Sequence, residues 1–279
     1  MGRWASLMQR WGIAMLLGMT AVVQAQPSVL WLSSKFPPCH MPGAPDKQGY
    51  CDKAQALIQQ RLPEYTHRQQ YASLQRIQQL MKTDEQFCTL TLLHSPERAN
   101  YMHFSRPILG IIANGFIARA DDPRLPGIML DEQRVSLSDA LQQNWLIGVN
   151  KKRVYGAHID GLLAANSDGV VGIDGERQSI PLLLAKRFDG TIGSAAELGW
   201  HMHNNGQSQR LRFFLIDQSA ALLHPAVSCR NSVLGREIIQ RLNERITAQD
   251  QAAFVRFYVD WLPAQWQQHY DTLVSEGPR

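Results

Sequence analysis

The stretch TLTLLHSPERANYMHFSRPI (89–108) runs from an apolar segment into a helix start and closes on Ser105-Arg106-Pro107. Leu90, Leu92 and Leu93, with β-branched Thr89 and Thr91, read as a short strand. Ser95 then offers an oxygen at an N-cap, and Pro96 fits the first turn of the helix that follows. Arg98 falls inside that first turn, at the positive end of the helix macrodipole, where a cation is disfavoured. A cation at the wrong end of a helix asks for a compensating anion. Strand, turn, capped helix and a second apolar run make an α/β unit.

Working outward, the same unit recurs. Residues 29–32 form an apolar strand ahead of Phe36-Pro37-Pro38, and 51–62 and 72–81 carry helical spacing. After the punctuation at Asp121-Asp122-Pro123, helices are expected near 138–143, 155–165 and 179–185. Strands are expected at 145–149, 170–173, 188–192, 211–216 and within 220–227. The tail is helical, with Phe254, Phe257, Tyr258 and Trp261 at helical spacing as core contacts of the first half. The pattern predicts an α/β fold of two lobes, each a central sheet flanked by helices, with the tail returning to the first lobe. The expected boundaries are 26–118 for lobe 1, 119–219 for lobe 2, and 220–279 for the return to lobe 1 and the C-terminal helices.

Residues 1–25 read as a cleavable signal peptide: Arg3 and Arg10 precede an apolar run at 11–23, and Val23-Gln24-Ala25 suits a cleavage site. The run is shorter than the roughly 20 residues a membrane span needs. The expected mature chain is therefore exported and periplasmic. Without Arg3 and Arg10 its 26 basic and 24 acidic side chains leave +2, interspersed, which argues against nucleic acid as a partner. Four cysteines suit an oxidising compartment and allow about three pairings when all are joined. Cys39 and Cys51 bracket a Pro/Gly-rich loop, so a local staple is the simplest choice, leaving Cys88 with Cys229. Zinc is the rival, although no C-x-x-C spacing supports it.

FPP near the N-terminus, GYCD opening a helix, SPER, and FSRPI, taken in order, resemble the extracytoplasmic solute-binding proteins of family 3. Lys152-Arg153-Val154-Tyr155-Gly156 and Lys186-Arg187-Phe188-Asp189 resemble landmarks of that family's second lobe. Cysteines near Cys88 and Cys229 point to a divergent branch. The resemblance implies the type II periplasmic-binding-protein fold and capture of a small carboxylate-bearing ligand, an amino acid or a relative, between the lobes. It implies that Arg98, with Ser95, pairs with the ligand carboxylate, and that Arg153 and Tyr155 close from the other lobe. The acid that receives a ligand ammonium in such proteins matches Ser194 here, with Glu197 three residues on as its substitute. The aromatic expected after Phe36-Pro37-Pro38 is Cys39, so Tyr50, Tyr101, Trp31 or Trp200 would supply the stacking surface.

A monomer serving an ABC-type permease is the expected setting, and a sensory protein presenting its closed form to a membrane receptor is the first alternative. The second is an enzyme on this fold, with Glu197 opposite His94 or His103 as an acid–base pair. No G-x-S-x-G, H-E-x-x-H or phosphate-binding glycine loop is present, and no cofactor or metal is expected. His201-Met202-His203 reads as an exposed polar turn.

Overall fold

The computed structural model describes residues 26–43, 49–90, 92–151, 153–174, 179–205 and 210–275. The expected signal peptide lies outside the described residues, as do Thr91, Lys152 and part of the loop between Cys39 and Cys51. Among the described residues, no helix is long and apolar enough to cross a membrane.

Strand β1 (Ser28–Ser33) sends Val29 and Trp31 into one buried cluster and Leu32 into another, as the period of two requires. The chain continues through α1 (Tyr50–Gln60), β2 (Thr66–Tyr71), α2 (Leu74–Leu80), β3 (Cys88–Thr89), α3 (Pro96–Ala99) and β4 (Met102–Pro107). It then crosses by β5 (Ile111–Ile112) into β6 (Gly115–Arg119), β7 (Arg134–Val135), α4 (Leu137–Gln142), β8 (Ile147–Asn150) and α5 (Ala157–Ala165). Next come β9 (Val170–Ile173), α6 (Ser179–Leu184), β10 (Gly190–Gly193), α7 (Ala195–Asn205) and β11 (Leu211–Ile216). The return runs through β12 (Leu222–Leu223) and β13 (Ala226–Arg230) to α8 (Val233–Arg245), α9 (Ala248–Val259) and α10 (Ala264–Ser275).

Two sheets result, ordered β2-β1-β3-β13-β4 and β7-β11-β6-β10-β8-β9. β1 is parallel to β2 and β3, while β13 is antiparallel to β3 and β4. β5 and β12 pair antiparallel where the chain passes between the sheets in each direction. In the second sheet, β6 puts Phe116 and Ala118 on one face with Trp145 and Ile147, and Ile117 on the other with Phe213 and Leu198.

Four differences from the sequence reading stand out. β2, THRQQY, carries no apolar alternation because it is an edge strand whose side chains are largely solvated. The strand expected across 89–93 is only Cys88–Thr89. β6 is an interior strand of the second sheet, so the crossover precedes the expected boundary at 118. The tail divides: Phe254 joins the first-lobe cluster with Trp31 and Ile58, whereas Tyr258, Trp261, Trp266 and Tyr270 pack in the cluster that covers the second sheet. Trp266 stacks edge-on against Phe213 and donates its indole N–H to the Phe213 carbonyl at 3.2 Å.

Candidate functional site in the interlobe cleft

The loops that follow β1 and β8 come from different sheets and meet at Phe36 and Arg153, where they build the site. After β1, Phe36 is half-buried, and its backbone pairs with His40 in a tight loop. A disulfide between Cys39 and Cys51 fastens this loop to α1, and Cys88–Cys229 joins β3 to β13, as the simplest pairing has it. Among the described residues, one grouping of potential metal donors is close-set: Cys39, His40 and Cys51, whose two sulfurs are bonded to each other.

After β8, Arg153 extends towards the first lobe. Its Cζ lies 4.5 Å from the centre of the Phe36 ring, and its Nη1 donates to Glu197 Oε2 at 3.1 Å. Glu197 sits in the first turn of α7 and is 8 % exposed. Its own N–H donates to Ser194 Oγ at 3.1 Å, while the Ser194 N–H donates back to Oε2 at 3.4 Å. This reciprocal cap is why Ser194 and Glu197 occur three apart. Tyr50 completes the group: burial pushes its phenol pKa upward, Arg153 works against that, and Glu197 adds to it. Its ring also packs edge-on with Tyr258 at 5.2 Å.

A cavity of about 20 Å³ remains, lined by Phe36, Pro37, Ile180, Glu197, Trp200 and His201. That is room for roughly one water. His201 is on helix α7 rather than in an exposed turn: it is buried, with Nδ1 against the Asn205 amide. Burial pulls its imidazole pKa below the ordinary range. His203, two residues on, is exposed and packs edge-on against Trp261, so the two imidazoles diverge as helix geometry requires.

The first-lobe residues form a separate group. Ser95 caps α3 by accepting from the Arg98 N–H at 3.3 Å. The Arg98 guanidinium is half-buried and donates to the Leu93 carbonyl at 2.7 Å. Burial pulls its pKa down and Glu97 opposes the shift. The Glu97 carboxylate itself meets Lys82 at 3.1 Å. Tyr101 turns away to pack with the cluster of Ile77 and Met81, with Lys82 over its ring, and Trp31 is fully buried. Neither faces the cleft, where the aromatics are Phe36, Tyr50 and Trp200. Tyr155 is committed locally: its hydroxyl accepts from the Asn150 N–H at 2.9 Å, and its N–H donates to Asp160. Asp160 also takes the Gly156 N–H, so the anion-binding end of α5 holds the chain's own carboxylate. His94 packs on Phe104, and His103 lines a groove between β4 and α8 with Arg106 and Arg236.

Sequence reasoning brought Arg153, Ser194 and Glu197 together but missed Phe36 as the aromatic partner. The FPP motif was the available signal: the aromatic was sought after it, at Cys39, and it is the motif's own first residue.

Solved structures share this fold. An ancestral arginine-binding protein bound to glutamine matches 85 % of this chain and 98 % of its own at 14 % identity, with a TM-score of 0.63. The fold is that of the two-lobed periplasmic binding proteins. The periplasmic binding protein of an arginine transport system from Legionella pneumophila matches 85 % of this chain and 100 % of its own, at 14 % identity and a TM-score of 0.59. A histidine kinase sensor domain with similarity to periplasmic binding proteins matches 91 % and 97 %, at 15 % identity and a TM-score of 0.59. No protein-family model and no curated sequence matches the chain.

Proposed function

We propose that this protein captures a small carboxylate-bearing ligand between its lobes in the periplasm and delivers it to a membrane transporter. The observation that carries the reading is the Arg98 guanidinium. It is half-buried, it meets a backbone carbonyl, and among the described residues no carboxylate lies within ion-pair distance of it. An arginine fork suits a ligand carboxylate, which would also offset the half-buried charge of Arg98. The likeness to binding proteins supports the cleft as the place, and the two disulfides suit an oxidising compartment. Binding is favoured over catalysis because Glu197, the acid of the cleft, is held by Arg153. A sensory role with the same ligand chemistry is the second reading, supported by the likeness to a kinase sensor domain.

The test is thermal unfolding of the mature protein with amino acids, short peptides and simple carboxylates, in parallel with Arg98→Ala. A ligand at ~100 times its dissociation constant adds about 2.7 kcal/mol, a rise of several degrees for a chain of this size. A rise with one ligand class, lost in Arg98→Ala, supports the carboxylate site. A rise that survives the substitution moves the ligand elsewhere in the cleft.

A further inference from the structure

Phe36 and Glu197 face each other from opposite lobes, an aromatic face and a buried carboxylate, which together form a site for a planar cation. Such a site in the cleft of a binding protein would ordinarily be open to a ligand. Here the chain fills it from within. We propose that Arg153 is a specificity-determining residue: its guanidinium is the resident occupant of this cation subsite, and it shuts out ligands that carry a cationic group at that place. The proposal rests on the cleft being the ligand site.

Three observations bear on it. Arg153 and Glu197 both belong to the second lobe, so their pair survives when the lobes part, and the site travels already filled. The contact with Phe36 crosses the gap, so the same side chain also draws the lobes together. The space left beside them, about 20 Å³, holds roughly one water and no amino-acid side chain. A guanidinium stays charged at every physiological pH, so the occupant cannot be titrated away. A competing cation would have to displace a tethered one of the same kind, at an effective concentration set by the loop.

Removing the tethered group should therefore create a receptor for a free one. Arg153→Ala leaves Glu197 buried without its cation, and its Tm should fall by roughly 5 °C or more. Methylguanidinium chloride at tens of millimolar should restore at least half of that fall along a saturating curve, with no effect on the parent protein. The double variant Arg153→Ala/Glu197→Gln should not respond. A folded Arg153→Ala that ignores methylguanidinium, or rescue that persists in the double variant, would overturn the proposal. Should Arg153→Ala fail to fold, Phe36→Leu keeps the idea testable, because it removes the cross-gap contact and leaves the ion pair. Its radius of gyration in solution scattering should exceed that of the parent; an equal value counts against Arg153 as occupant. Neither measurement uses a natural ligand, so an empty ligand panel and a failed rescue are separate results.

Discussion

Asp250 illustrates what a single side chain contributes. It is 2 % exposed and accepts from Arg61 Nε at 3.0 Å and Nη2 at 2.6 Å. It also accepts from the Thr247 N–H and hydroxyl, both at 2.9 Å, closing a capping box at the start of α9. The forked pair with Arg61 is the main reason its carboxyl pKa lies below the usual range, with burial opposing and Thr247 assisting. A depressed folded-state pKa adds stability that is present above the unfolded value, near 3.8, and lost as pH falls through the folded one. Asp250→Asn is expected to cost roughly 3 kcal/mol at neutral pH in denaturant unfolding. The gap between variant and parent should narrow as pH drops below 4, since the parent then loses its own charge. A gap constant down to pH 2 would mean packing, not charge, holds this cap. Residue-scale features of this local kind are the ones a sequence displays. Ser95 capping α3 was legible because donor and acceptor are three positions apart. Arg153 over Phe36 was not, because nothing in one chain segment states which distant ring a guanidinium will cover.

Elements were legible where burial on one side imposes a period. The helices α1, α2, α8 and α9 and the strand at β11 were all anticipated, because each presents apolar residues to a sheet or to a neighbouring helix. β2 was missed because an edge strand need not alternate, and the tail divides at Pro263, whose carbonyl accepts from the Trp266 and Gln267 N–H groups just ahead of α10. The two disulfides act at this scale by joining elements. Cys88–Cys229 links β3 to β13 over a separation of 141 residues, whereas Cys39–Cys51 spans 12. In the chain-entropy account the longer loop adds about 5 kcal/mol and the shorter about 3. Replacing Cys88 and Cys229 by alanine should therefore lower the denaturant midpoint more than replacing Cys39 and Cys51. The reverse order would show that the short staple, which fastens the Phe36 loop to α1, stabilises native packing beyond its loop entropy.

At the scale of the molecule, the question is how two lobes with their own sheets behave as one body. The tail answers it. α9 anchors in the first lobe through Phe254, packed with Ile58 and Trp31, and its far end delivers Tyr258 to the cluster beneath the second sheet. α10 continues there through Trp266, which is 1 % exposed. Gly199 of α7 lies so close to the Trp261 carbonyl that a Cβ would collide with it, so the seam admits no side chain at that point. The same helices hold the crossing strands: the Ile112 N–H donates to the Tyr258 hydroxyl at 2.9 Å, and the Tyr270 hydroxyl donates to the Gly110 carbonyl at 2.5 Å. The tail thus packs on both lobes and on the crossing segment between them. Unfolding should follow a single calorimetric transition in the parent protein. Trp266→Ala removes a large buried ring and its hydrogen bond, a loss of about 3–5 kcal/mol falling almost wholly on the second lobe. The first lobe keeps Phe254, so the variant should split into two transitions, the second lobe melting first. One transition merely shifted downward would mean that the crossing strands, and not the tail, couple the lobes.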